Sequence, residues 1–154
     1  MTPNFAVSLL TAALLSTAAA SAQGSATYHG FTCAGDTSLT STSSWSIGAM
    51  SSVDVDSFAG NGAFVSVGIG APFAVGQGIQ LAQYGLSCEF WTSPVATVPV
   101  INPQPNTVNV GYVVDVPNDP GFVGLPLTFQ GLISAPWFTG GLAPTNALHI
   151  VIGQ

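Results

Sequence analysis

The chain has 154 residues, no Lys or Arg, six Asp plus Glu, and a formal charge of −6. Its mean hydropathy is +0.53 and its sequence pI is about 4.1. Without cationic side chains it lacks the groups that neutralise phosphate, clamp a carboxylate or form a Schiff base, which excludes nucleic-acid binding, a P-loop and lysine chemistry, and an anionic membrane surface repels it.

The first element is an N-terminal leader. An apolar run from Phe5 to Leu15 leads into Ala18, Ala19, Ala20, Ser21 and Ala22, with small residues where a signal peptidase reads before Gln23. The run is short for a transmembrane span, which needs about 20 apolar residues. Residues 1–22 are therefore expected to be a signal peptide, and 23–154 a single domain. Its n-region departs from the usual pattern, having only the terminal amine as a positive charge.

Past Ala22 helical periodicity is nearly absent, and Gly, Pro, Ser and Thr recur too often for long helices. Weak strand candidates lie at 28–33, 45–50, 52–58 and 79–91. Residues 37–44 are nearly all Ser and Thr and read as an exposed loop or an O-glycan carrier. At 62–69, Ala63, Val65, Val67 and Ile69 alternate with Phe64, Ser66 and Gly68, the period of two of a strand with one face in a core. Residues 94–106 hold Pro94, Pro99, Pro103 and Pro105, too many missing amide donors for a central strand, and read as a crossover or frayed edge. The clearest alternation is at 107–116: Val108, Val110, Tyr112, Val114 and Val116 lie on one side, Thr107, Asn109, Gly111 and Asp115 on the other. Leu125, Leu127 and Phe129 then oppose Thr128 and Gln130, and Leu148, Ile150 and Ile152 oppose His149. Seven to nine short strands imply an antiparallel β-sandwich, Ig-like or jelly-roll-like.

Between the alternations at 107–116 and 125–130 stands VPNDPGFVG, residues 116–124. Asp119 suits the cap of a short helical turn, Pro120 its first position, and Gly124 the left-handed residue that ends it, with Asn118 in the approach. It reads as a structural corner. The stretch from Asp115 onward, DVPNDPGFVGLPLTFQGLI followed by GGLAPTNALHIVIG, resembles the C-terminal signature of a set of secreted bacterial β-sandwich modules of unknown function. Thr32 and Cys33, FVSVGIG, and LSCEFWTSP extend the resemblance upstream more loosely. It implies an exported β-sandwich and carries no catalytic residues. Pro136, Trp137 and Phe138 stand where those proteins have an acidic turn.

Cys33 and Cys88 are the only cysteines. In an exported chain they are expected to form one disulfide, with free or metal-binding thiols as the alternative. No GxSxG, HExxH or GxGxxG is present. His149 reads as a solvated or hydrogen-bonded residue on the outer face of the last strand, and His29 is ambiguous. Asp54 and Asp56, two apart on a strand, project from one face with Cα atoms about 7 Å apart. With Asn61 they are a candidate calcium site, though Val65 stands where an EF-hand has its terminal Glu. As a carboxylate pair on a glycoside they are a weaker candidate. Trp45, Trp91, Tyr84 and Trp137 with Phe138 are candidates for a sugar-stacking platform. Core positions are expected for Trp45 and Trp91, while Trp137 with Phe138 stays a candidate ligand-stacking pair. The expected function is a non-enzymatic, exported structural or interaction module of the cell envelope or extracellular matrix. It has no obligatory cofactor, and its partner is a protein or polysaccharide surface. The alternatives are a carbohydrate-binding module, calcium-assisted in one version, and a small secreted hydrolase.

Overall fold

The computed structural model describes residues 23–33, 37–57, 62–82, 88–100, 108–134 and 141–154. The leader, Asn61, Tyr84, Pro136, Trp137 and Phe138 lie outside them. The described chain is an all-β sandwich with ten strands: β1 (Ser25–His29), β2 (Thr37–Thr40), β3 (Met50–Ser57), β4 (Gly62–Ile69), β5 (Ile79–Gln80), β6 (Glu89–Phe90), β7 (Pro94–Val100), β8 (Val108–Asp115), β9 (Pro126–Ser134) and β10 (Leu142–Val151). A five-stranded sheet runs β1-β10-β9-β4-β7 and faces a three-stranded sheet β2-β3-β8, while β5 and β6 form a separate ribbon. The strand pairs are antiparallel.

The alternating apolar positions fill the space between the two sheets. Val53 and Val55 of β3, Ala63 and Val65 of β4, Phe129 and Ile133 of β9, and Leu148 and Ile150 of β10 are buried there with Leu39 and Trp45. Trp45 packs on Phe129 with ring centroids 5.3 Å apart, and its indole Nε1 donates to Ser41 Oγ at 3.1 Å. Val110, Tyr112 and Val114 of β8 line the same core, and Asn109, Gly111 and Asp115 face out as the pattern requires. One position departs from expectation. Ile69, read as core, is 62 % exposed, because it ends β4 beyond the reach of the narrower facing sheet.

The serine and threonine stretch at 37–44 is not a free loop. Its first half is β2, with Thr37 and Leu39 buried against β3. Its second half is stitched to β3: Ser41 Oγ donates to Ser52 O at 2.6 Å and Ser52 N–H donates to Ser43 Oγ at 2.9 Å. Small hydroxyls serve here as local backbone partners, a role composition alone does not separate from solvation. The segment at 45–50 is likewise a turn rather than a strand. The first part of the proline-rich stretch, 94–100, forms an edge strand, β7, where a missing amide is tolerated, and 101–106 lie outside the described residues.

The corner at 116–124 is built as its residues dictate. Asp119 Oδ1 accepts from Gly121 N–H at 2.8 Å and caps a 3-10 turn over Pro120–Phe122. Gly124 has φ +82°, where a side chain is strained, and its N–H donates to Ile152 O at 2.8 Å. Asn118 sits at the exposed tip against Gly48. Phe122 packs on the core below, so the corner fastens the β8–β9 crossover to the end of β10.

Candidate functional site

Asp54 and Asp56 lie on the outer face of the three-stranded sheet, level with Thr40 and Ser38 of β2 and with Gly111 and Asn109 of β8. Asn109 Nδ2 donates to Asp56 Oδ1 at 2.6 Å, so one carboxylate already has a neutral partner. Among the described residues no group of three or more His, Cys, Asp or Glu is placed to hold a metal ion. Asp115 and Asp119 are exposed at the corner, away from this pair in the fold. His149 belongs to β10, which lies inside the sheet between β1 and β9 rather than at its edge. It is half-buried, and its Nε2 is sealed from solvent with no hydrogen-bond partner, contrary to the reading of a solvated histidine.

The disulfide between Cys33 and Cys88 is formed, and it leads to the most organised surface of the molecule. Thr128 and Gln130 of β9 and Ser66 and Gly68 of β4 occupy positions on the face away from the inter-sheet core, yet all four residues are buried. Ser66 Oγ lies 2.9 Å from Thr97 Oγ1 of β7, while Thr128, Gln130 and Gly68 are covered by a cap, residues 70–82 and 88–93, that leaves β4 and returns as β7. Gln130 anchors it: Oε1 accepts from Trp91 N–H at 2.8 Å, and Nε2 donates to Thr145 O at 2.9 Å and Glu89 O at 3.3 Å. Trp91 is therefore buried, as expected, but on the opposite side of the sheet from Trp45. His29 and Phe31 meet its ring edge-on at centroid distances of 5.9 and 5.4 Å. Gly30 between them has φ +71°, and a side chain there would run into the indole.

Polar groups lock this cap at two points. His29 Nε2 lies 2.7 Å from Phe73 O, and since a carbonyl only accepts, this nitrogen carries the proton. Glu89 accepts from Gly76 N–H at 2.8 Å, Gln80 Nε2 at 2.6 Å and Trp91 Nε1 at 2.9 Å. The Gly76 amide and the Gln80 carboxamide, followed by the Trp91 indole and the Gly78 amide and opposed by burial, hold its carboxyl below the ordinary value of 4.5. Around these locks the cap turns Phe73, Val75 and Ile79 to solvent, and Phe31, which follows β1 and meets Trp91, is exposed beside them, with Phe31 54 % and Val75 59 % exposed. No family model matches the chain, and no match was found among curated proteins or solved structures.

Among the described residues neither histidine is hydrogen-bonded to the side chain of a Ser, Asp or Glu, and the Glu89 carboxylate is occupied by three donors. What the arrangement offers is a partly aromatic surface with a single hydrogen-bonded carboxylate, held by a disulfide. Glu89, Phe31 and Phe73 were not singled out in the sequence. The signal available for Glu89 was the run CEFW at 88–91, where a lone carboxylate sits among aromatic residues beside a bridged cysteine.

Proposed function

We propose that the protein is an exported, non-enzymatic β-sandwich that works as an interaction module of the cell envelope or extracellular matrix, with the cap as its contact surface. The observation that carries this reading is solvent-facing Phe73, Val75 and Ile79 on a cap fastened by the disulfide, Gln130 and Glu89, with exposed Phe31 of the segment after β1 packed edge-on against its Trp91. Exposed apolar groups gathered on one rigid element mark contact surfaces in soluble proteins. Residues 1–22 read as a leader, and a paired Cys33 and Cys88 suits the oxidising compartment to which a leader directs a chain.

A second reading, a carbohydrate-binding surface, is favoured by the exposed rings of Phe31 and Phe73 beside the hydrogen-bonding groups of Gln80 and Glu89. One experiment separates the two. The protein secreted from its full chain is applied to isolated envelope or matrix material and to immobilised neutral polysaccharides, alongside a Phe31→Ser, Phe73→Ser double variant. Retention on the protein fraction that drops about tenfold in the variant, at unchanged thermal stability, supports the contact surface. Retention on polysaccharide alone supports the second reading, and equal retention of both proteins removes the cap from either role.

A further inference from the structure

The described cap has two limbs, 70–82 and 88–93, and a group that ties the first to the second is a carboxylate. We propose that the Glu89 carboxylate is an acid-sensitive latch: when it takes up a proton the 71–82 limb of the cap swings off the outer face of the five-stranded sheet and exposes Trp91. This inference deepens the reading of the cap as the contact surface, to which it adds regulation, and it concerns a motion that can be read without any partner.

The geometry makes Glu89 the hub of that limb. One carboxylate accepts from a backbone amide in the loop (Gly76), a side chain of β5 (Gln80) and the indole that lies beneath both (Trp91). Charge-assisted bonds of this kind are about twice as strong as neutral ones, and a protonated carboxyl keeps fewer lone pairs for three donors while presenting a proton with no acceptor among them. Among the described residues the remaining ties are neutral and few: Phe73 N–H to Trp91 O at 2.8 Å, Leu81 N–H to Cys88 O at 3.1 Å, and His29 Nε2 to Phe73 O. The ribbon β5–β6 itself has only the two residue pairs Ile79 with Phe90 and Gln80 with Glu89. By contrast, the 88–93 limb is held by the disulfide and by Gln130, neither of which titrates, so the motion has a fixed end and a free end.

Few other titratable groups face the latch among the described residues. The described part of the limb, 71–82, has none, and β6 has Glu89 alone. On β1, His29 touches Trp91 edge-on, and its protonated Nε2 keeps donating to Phe73 O when the second ring nitrogen is also protonated. His149 of β10 lies on the same sheet face, beside Thr27 and Thr128. The sign follows from the bonds. The hydrogen bonds hold the folded carboxyl below 4.5, so the stabilisation is present above the unfolded value and is lost as pH falls through the folded one. The same window removes the net negative charge, so an opened cap meets its surroundings with less self-repulsion.

Hydrogen exchange followed by mass spectrometry over pH 3–7, expressed as protection so that the intrinsic rate cancels, reads the motion directly. In the native protein the amides of 73–82 are expected to lose about tenfold in protection below pH 4.5 while β3 and β9 keep theirs. Gln80→Ala removes one donor at an exposed site and is expected to move the loss to higher pH. Glu89→Gln is expected to be open at pH 7 with no pH step. Protection of 73–82 that is flat down to pH 3.5, an unmoved midpoint in Gln80→Ala, or a Glu89→Gln cap as protected as the native one at pH 7 overturns the latch. Loss of β3 and β9 protection together with the cap also overturns it, since that is global unfolding. Each result stands whether or not the cap binds a partner.

Discussion

Asn146 lies 107 positions from Leu39, yet its carboxamide treats that residue as a neighbouring strand would. Leu39 N–H donates to Asn146 Oδ1 and Asn146 Nδ2 donates to Leu39 O, both at 2.9 Å and both buried. The irregularity in β10 between Pro144 and Ala147 goes with this arrangement, and the pair of bonds closes the edge of β2 while tying one sheet to the other. Asn146→Ala leaves two buried backbone groups without partners, and at about 1–3 kcal/mol each the protein is expected to lose about 3 kcal/mol in urea denaturation. A cap such as Asp119 contributes about 1 kcal/mol by comparison. Asn146→Asp sets a carboxylate against Leu39 O, which only protonation can turn into a donor. Its folded value should be raised, so that variant regains stability as the pH is lowered, whereas Asn146→Ala does not.

At the scale of elements, the local features were readable and the cross-chain ones were not. Asp119, Pro120 and Gly124 act on amides within a few positions of themselves, so the corner followed from three residue types in order. The alternation in β8 and β10 named the core face correctly for the same reason. Thr128, Gln130 and Ser66 followed the same polar alternation opposite the core face, yet all three are buried, Thr128 and Gln130 under the cap and Ser66 against Thr97 of β7. No period in β4 or β9 signals that a segment leaving one strand folds back over the other side. The disulfide fixes this element. Replacing both cysteines by Ala removes a cross-link spanning 55 positions, and the chain-entropy relation puts the loss at about 4 kcal/mol. The expected outcome is a lower urea midpoint, with proteolytic cleavage within 70–82 appearing before any in β3 or β9.

For the whole molecule, charge is the controlling quantity. Six acids and no Lys or Arg leave net negative charge as the main electrostatic protection against association, while Tyr28, Phe31, Met50, Ile69, Val75 and Val95 are among the exposed apolar residues. Solubility is expected to fall to a minimum near pH 4.1, where that charge vanishes. Turbidity measured between pH 3.5 and 7 checks it, and a flat profile contradicts it. Substituting Asp54 and Asp56 by Asn should shift this minimum without altering protection of the cap, because neither side chain touches it.

The amino-acid sequence by itself determined that this chain is built from strands, where its corner turns, which face of β8 and of β10 looks inward, and which two cysteines there are to join. Those properties come from dihedral preferences, a period of two and local hydrogen bonds, all of which act within a few residues. Only the tertiary structure decided that Trp45 and Trp91 serve two different cores, that a serine-rich stretch is a strand, and that Glu89 gathers three donors. Each of these depends on groups far apart in the chain meeting across a sheet, and burial of that kind is a property of the packed whole.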